Sequence, residues 1–455
     1  MIERKRSLGQ GDIVLYTVSA ILLLETLTAA ASLGAAAIFW WLFLGIVFLL
    51  PFALICAEMG CIYPEQGGIY AWVRDAFGSR WGARASWGYW VNTAVWLPAI
   101  YILFAGIFSQ LFAPDLSLFW QIAIGIGLTW ISVAVNMLTL DVGKWVPNIG
   151  AAVKVIVFLV IIVAAVLHVD AEGFANPINL DSIRPDWNSS LSYIPAIIYG
   201  MLGFELISAS SQEMKNPAKD VPWGILISGI LILCLYLCAT IAVLAAIPAA
   251  EVDLVEGLIA TLQKFFGTEG VGGIAVVILG IGALYTFFTN GVTWAIGCNR
   301  AAAEAGIEGE LPGLFALEAK NGTPVGAAIL MGICSTGVLV LYGTMANNSA
   351  DLFWSLFAFS AVIFLLPYLG LLLAFVHTRV NDATRHRPFM IPGGTLVARI
   401  CAYTCFFVLA ASIVLFVYTP GEGLQLPVFL GALVTLVIGE VVIRYSERQA
   451  QARSI

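Results

Sequence analysis

The sequence predicts an all-α membrane protein in which twelve helices cross a bilayer. Composition is the first reason: 60% of the residues are hydrophobic, only 11% are charged, and the mean hydropathy is +0.95. A soluble chain keeps about 25% charged residues to solvate its surface. Repetition is the second, since apolar runs recur along all 455 residues, each near the ~20 residues a helix needs to cross hydrocarbon. The third is charge placement. Seventeen Lys and Arg fall in loops on the N-terminal side: Arg4, Lys5, Arg6, Arg74, Arg80, Arg84, Lys144, Lys215, Lys219, Arg300, Lys320, Arg379, Arg385, Arg387, Arg444, Arg448 and Arg453. Only Arg184 and Lys264 fall on the other side. Basic residues are retained in the cytoplasm, so a multi-pass protein of the cytoplasmic (inner) membrane with both termini cytoplasmic is expected.

The spans lie at about 12–37, 39–60, 86–112, 117–138, 148–168, 189–212, 222–248, 270–297, 325–345, 350–376, 395–418 and 427–445. The basic start, "MIERKRSLGQGD", precedes an apolar run too long for the ~7–15-residue core of a secretory signal, so a retained first span is expected. Between spans two and three, "CIYPEQGGIYAWVRDAFGSRWG" is mixed in character and reads as re-entrant or interfacial pieces. The longest outer loop, about 169–188, is rich in Asn, Asp and Pro and reads as a connector. Eight cysteines lie in or beside spans, and Cys234/Cys238 and Cys401/Cys405 are four apart with no His nearby. Buried small hydrophobes are expected there, rather than disulfides or a metal site.

Few ionisable residues interrupt the spans. Glu25 sits in span one within "SAILLLETLTAAASLGAAAIF", Lys154 in span five and Glu205 in span six, with Glu58 near the inner end of span two. Each costs about 2.5–3.5 kcal/mol in mid-membrane unless it pairs or meets water, so a polar interior is implied. Lys154 lies about six residues, ~9 Å, from the inner end and could instead snorkel to the interface. Glu205 could be a structural partner for a helix or loop end. Glu25, with about thirteen residues of span on either side, cannot snorkel; it is paired, protonated or facing a cavity. Gly200 and Gly203 precede Glu205, and Ser208, Ser210 and Ser211 follow it. Glycines in mid-span let a helix break where the freed backbone lines a cavity or buried protein. Spans one and six hold corresponding places in two five-helix halves running in opposite directions, the arrangement in which broken helices mark a binding site.

Four segments resemble the amino acid–polyamine–organocation (APC) transporters. They are "AEMGCIYPEQGGIYAWVRDAFGSRWG" (57–82), "GFELISASSQEMKNPAKDVP" (203–222), "NRAAAEAGIEGELP" (299–312) and "RHRPFMIPGG" (385–394). They match, in order, the end of helix two, helix six with its following loop, and the loops after helix eight and before helix eleven. "GGIYAWVRDAFGSRWG" is most similar to the bacterial glutamate/GABA-antiporter-like branch. The resemblance implies a LeuT-type fold: inverted repeats over about 12–168 and 189–376, and two further helices over about 395–445. It implies secondary active transport by alternating access, proton-coupled or by exchange, with substrate held between the unwound middles of helices one and six. It also places Lys154, in "NIGAAVKVIVFLV", where sodium-dependent relatives bind sodium, so sodium coupling is disfavoured and protons are the expected coupling ion. One departure stands out. The family's glycine-rich helix-one element, which holds a substrate carboxylate, corresponds here to "AILLLETLT", with no glycine.

Glu25 therefore offers a negative group that suits a substrate ammonium or a proton, and Glu205 could share the task. A cationic amine or basic amino acid is favoured over a neutral or acidic amino acid, for which Glu25 would serve as proton carrier. The expected substrate-binding residues are Glu25, Leu22, Thr26, Asn92, Trp96, Tyr199, Gly203, Phe204, Glu205 and Asn290. Lys154, Glu25, Glu205, Thr289 and Thr293 are expected to couple protons, the two threonines by hydrogen-bonding the Lys154 ammonium. Asn92 and Trp96 share a helix face, Tyr199 is a candidate aromatic gate, and Thr286 lines the same helix as Asn290. For any one Trp, packing or an interfacial role is the plainer reading, and membrane Ser and Thr often bond their own backbone. No H-E-x-x-H, G-x-S-x-G or P-loop is present, and the three His lie at span ends or in loops, so an enzyme is not expected. Asn216-Pro217-Ala218 mimics a water-channel motif but falls in a cytoplasmic loop. No cofactor, metal or nucleic-acid partner is expected, only a small substrate and the bilayer; monomer and homodimer stay open.

Overall fold

A computed structural model describes residues 9–63, 68–138, 145–185, 191, 193–207, 214–382, 384–421 and 423–453. Arg4, Lys5, Arg6, Lys144, Ser208, Ser210, Ser211 and the 64–67 part of the helix-two signature lie outside them. The first span is two helices, α1 (Gln10–Ile21) and α2 (Leu24–Ala31), bent by 47° at Leu22–Leu23. It ends at Ala31, earlier than the expected residue 37, because the chain turns at Gly34 before α3 (Ala36–Leu44). A π-helical turn, Gly45–Leu49, joins α3 to α4 (Leu50–Ile62) to make span two. The mixed segment forms α5 (Ile69–Phe77), which buries Ile69 to Val73 against α6 (Ser79–Phe112), the third span.

Spans four and five are α7 (Leu118–Asn136) and α8 (Trp145–Glu172), and the connector holds the one-turn α9 (Leu180–Ile183). The sixth is interrupted: only α10 (Ile194–Tyr199) is α-helical among its described residues. Then come α11 (Pro217–Ala246), the short α12 (Gly257–Phe266), α13 (Gly270–Ile307), α14 (Val325–Gly343), α15 (Ser349–Asn381), α16 (Gly394–Val417) and α17 (Leu426–Arg453). A two-residue pair, β1 (Tyr418–Thr419) with β2 (Gly423–Leu424), turns the chain between the last two helices. Among the described residues, ten helices are long and apolar enough to span, and the bent α1/α2 pair makes an eleventh. The remaining expected span, 189–212, does not form one long helix because it breaks after Tyr199.

The breaks thus fall in the first and sixth spans, where they were expected. They also pack on each other. Gly203 has φ 125°, a conformation that favours glycine. A Cβ on Gly200 would lie 2.5 Å from Thr26 Oγ1, so only a bare α-carbon lets α2 approach. Around them, α6 and α15 form the most buried pair, packed on each other, while α13 also packs on α6. α7, α16 and α17 turn large apolar side chains outward, such as Phe119 at 70% and Phe407 at 68% exposure, as lipid-facing helices do. The cysteines correct one expectation: Cys234, Cys238 and Cys334 are exposed on this outer surface, while Cys56, Cys61, Cys298 and Cys405 are buried.

At the end of the bundle that carries the termini, Glu58 is fully buried and holds two arginines. Its Oε1 accepts from Arg379 of α15 and from Arg387 at 2.9 Å, and its Oε2 accepts from the Ile391 N–H at 2.8 Å. One carboxylate thereby ties span two to the end of span ten and the loop behind it.

Two stability outcomes follow from this packing. Gly200→Ala should lower stability by about 1–3 kcal/mol through overpacking, read by thermal unfolding of the detergent-solubilised protein, and Thr26→Ala should recover part of the loss. Glu58→Ala should cost about 3–5 kcal/mol, because it strands two buried arginines; an unchanged melting temperature would refute the role assigned to Glu58.

Candidate functional site

Breaking a helix inside hydrocarbon frees backbone groups that must find partners. At the span-one break the partners are side chains from three other spans. The Ser19 carbonyl accepts from Lys154 Nζ of α8 at 2.8 Å, and the Ala20 carbonyl accepts from Trp294 Nε1 of α13 at 3.0 Å. The Ile21 carbonyl accepts from the Tyr236 hydroxyl of α11 at 2.6 Å, and that oxygen accepts in turn from the Leu23 N–H at 2.7 Å. The Tyr236 hydroxyl also lies 3.2 Å from the Gly200 carbonyl, so one group touches both broken spans. Its ring is stacked on Trp41, with centroids 4.5 Å apart.

Lys154 is 1% exposed and anchored on Ser19, so it does not snorkel. The expected threonine partners are a correction. Thr289 Oγ1 donates to the Thr286 carbonyl and Thr293 Oγ1 to the Thr289 carbonyl, while Thr286 bonds the Ala283 carbonyl. Thr293 reaches the lysine only indirectly, through the Ser19 hydroxyl at 3.0 Å. Backbone carbonyls three or four residues back are always within reach of a helical threonine, whereas Lys154 meets a carbonyl freed by the break.

Glu25 stands in the first turn of α2, 5% exposed, and neither carboxylate oxygen has a hydrogen-bond partner among the described residues. Lys154 is the cation that interacts with it electrostatically. Glu205 Oε1 accepts from Tyr368 of α15 at 2.5 Å and Tyr89 of α6 at 2.7 Å, while Oε2 has no partner among the described residues. A continuous set of contacts joins the two carboxylates. Thr26 lies against Gly200, Tyr199 lies within side-chain reach of Asn92 and Ser360, and Asn92 is one turn from Trp96. Trp96 packs edge-on to Trp294 at 6.2 Å, and Trp294 lies 6.1 Å from Tyr89, whose hydroxyl binds Glu205. Phe364 closes the ring, 5.1 Å from Trp294, 5.0 Å from Tyr199 and 4.7 Å from Tyr368.

Several polar atoms in and beside this set share one property. Glu25, Thr26 Oγ1, Asn92 Oδ1, Trp96 Nε1, Glu205 Oε2 and Asn290 Oδ1 are buried without hydrogen-bond partners among the described residues. Each unsatisfied buried group costs about 1–3 kcal/mol, so gathering several in one aromatic-walled place leaves them for water or a ligand. Leu22 supplies the extended backbone of the break, and Gly203 is wedged between Ile21 and Trp294. Phe204 is fully buried, with its ring against Gly229 of α11 and 6.4 Å from the ring of Phe52 of α4. Sequence reasoning missed Tyr89, Trp294, Phe364, Tyr368 and Tyr236. Fourteen Tyr and fourteen Trp along the chain carry no signal of which ring faces the interior, although Tyr89 lies three residues before Asn92 and Trp294 directly follows Thr293.

With this geometry in place the chain can be assigned. The amino acid permease family model matches residues 8–438, and the chain belongs to that family, within the APC superfamily. It is 32% identical over 439 residues to a probable agmatine/putrescine antiporter of Lactococcus lactis subsp. lactis, covering 95% of this chain and 93% of that one. It is also 27% identical to a polyamine transporter of Oryza sativa subsp. japonica, over 80% of this chain and 66% of that one. A glutamate/gamma-aminobutyrate antiporter of Lactococcus lactis is 25% identical, over 83% and 78% of the two chains. The protein is a multi-pass membrane transporter.

Outside the spans, Glu310 follows α13 beside Tyr70 and Arg74 of α5. Burial pushes its carboxyl up from 4.5 to about 7, against the opposing pull of Tyr70 and Arg74. A carboxyl raised on folding holds its proton in the native state after the unfolded chain has lost it. Stability therefore falls as pH rises from about 4.5 to 7. Glu310→Gln should flatten that decline in melting temperature; an identical pH profile would show that the contact carries none of it.

Proposed function

We propose that this protein exchanges cationic amines across the cytoplasmic membrane, with both termini in the cytoplasm. The observation that carries the reading is Glu25: a buried carboxylate with no hydrogen-bond partner, at a helix break, lined up with Glu205 along an aromatic wall. An ammonium placed there gains a charge-assisted hydrogen bond with Glu25 and cation–π contacts with rings such as Trp294 and Tyr199. The names of the agmatine/putrescine and polyamine relatives support the same substrate class. Glu205, clasped by Tyr89 and Tyr368, would close the floor of the chamber and open when those hydroxyls release it.

Lys154 favours a role for protons beside exchange. Its ammonium caps the Ser19 carbonyl beside the Thr293 hydroxyl, a place where a bound sodium would otherwise meet oxygen ligands. It also shares an electrostatic field with Glu25, so a substrate ammonium arriving at Glu25 would compete with Lys154 for the same negative charge. Loss of a proton from Lys154 would then accompany binding. Glu25, Glu205 and Lys154 are the proposed proton-coupling groups, and the threonines serve the helix rather than the ammonium.

Uptake into proteoliposomes tests the reading, with putrescine, arginine, glutamate and a neutral amino acid as labelled substrates. Putrescine uptake should saturate and be accelerated by unlabelled putrescine inside. Glu25→Gln should raise its KM by about tenfold or more, the loss of a buried charged contact. Uptake of the neutral amino acid or glutamate alone would overturn the assignment and leave Glu25 as a proton carrier; flux that does not saturate would point to a channel.

A further inference from the structure

We infer that Glu25 is the specificity determinant that bars carboxylate-bearing substrates: it sets the protein's own carboxylate in the place where an α-carboxylate would bind. The inference rests on the amine-exchange reading and goes beyond it, because an ammonium site alone does not distinguish an amine from its parent amino acid. Both carry the same cation.

The argument begins with the backbone of the break. A helix N-terminus points unpaired N–H groups and the positive end of its dipole at whatever lies in front of it, which makes it an anion site. α2 starts inside the membrane at Leu24, and its N-terminus opens at the break. In a transporter with nothing else there, that end would attract a substrate carboxylate. Here two observations remove the opportunity. The Leu23 N–H at the break is already given to the Tyr236 hydroxyl. The second residue of α2 is Glu25, which is 5% exposed and carries two oxygens without hydrogen-bond partners among the described residues. The first turn of α2 thus carries an anion of its own beside the break.

The charges around it act in the same direction. Of the ionisable side chains named in the chamber, Glu25 and Glu205 are acidic and Lys154 alone is basic, its ammonium engaged on the Ser19 carbonyl. An incoming α-carboxylate would meet Glu25 at close range in a low-dielectric setting, where the named basic group, Lys154, already gives a hydrogen bond to Ser19. Two like charges about 4 Å apart repel by several kcal/mol at the dielectric of a partly buried site. An amine that has lost its carboxylate escapes that repulsion and keeps the attraction of Glu25. The substrate class is therefore decarboxylated amines, mono- or dicationic, in preference to the amino acids from which they derive.

Matched pairs test this: putrescine against ornithine, agmatine against arginine, and cadaverine against lysine, each as labelled substrate in the same proteoliposomes. The wild-type protein should prefer the amine of each pair by about 100-fold in kcat/KM, the scale of one unrelieved charge repulsion. In Glu25→Gln, which keeps the volume, and Glu25→Ala, which opens the helix end, that ratio should fall by about tenfold or more. Part of the fall should be a gain in amino acid uptake over wild type. Because the ratio is taken within one preparation, poor folding of Glu25→Ala does not mimic the effect, and binding to Glu25→Gln can be read by thermal shift. If wild type prefers amines and both variants lose amine and amino acid uptake in parallel, Glu25 does not set the discrimination and the inference falls while amine exchange stands. If wild type takes up ornithine or arginine as well as their amines, the inference falls at once. If it takes up neither member of any pair, the amine-exchange reading itself fails.

Discussion

The break in the first span is the constraint on which the rest of the structure depends. A continuous helix satisfies its own backbone in lipid; an interrupted one does not, and each orphaned group costs several kcal/mol in hydrocarbon. Three consecutive carbonyls, those of Ser19, Ala20 and Ile21, and the Leu23 N–H are met by Lys154, Trp294 and Tyr236. These side chains come from three different spans. The break therefore exists only when α8, α11 and α13 are all docked around it, and any movement of α1 must change partners with each of them. Stability and the capacity for alternating access are joined at one point in the chain.

The second broken span is bound to the first through steric fit rather than charge. Gly200 yields the space that Thr26 fills, and the Tyr236 hydroxyl sits between Ile21 and Gly200 carbonyls. Since one hydroxyl carries one proton, it donates fully to only one of those carbonyls at a time. Motion of either break is felt by the other through this single atom. The Glu205 carboxylate adds a second tie, reaching from the unwound part of span six to α6 and α15. Those two helices are the most buried pair of the bundle, and so provide a fixed frame against which the broken spans can shift.

The distribution of polar groups divides the molecule by task. At the terminus-bearing end, Glu58 uses both oxygens on Arg379, Arg387 and the Ile391 N–H. In the chamber, Glu25 uses neither oxygen and Glu205 only one. A buried carboxylate with a full complement of partners fixes structure, whereas one left short keeps acceptor capacity unused. The same contrast separates Thr289 and Thr293, spent on their own helix, from Thr26 and Asn290, which keep acceptor capacity in reserve.

The sequence by itself determined the membrane class, the position of nearly every span and the charged residues of the interior. Hydrophobic run length and the scarcity of charge are one-dimensional properties, and a Glu or Lys in mid-span has few meanings. The glycines of span six announced its break, and Glu25, Lys154 and Glu205 were found where the breaks meet. Only the tertiary structure decided who partners whom. The span-one break carries no glycine, so nothing local marks Leu22–Leu23 as the point where helix gives way. Its capping groups lie more than a hundred residues away in the chain. Phe204 neighbours Gly203 in the sequence, yet its ring packs on Gly229 and Phe52 of two other spans. Tyr236 looks in the sequence like any other aromatic of an apolar span. Its role is set by where its hydroxyl lands, a distance that no periodicity encodes.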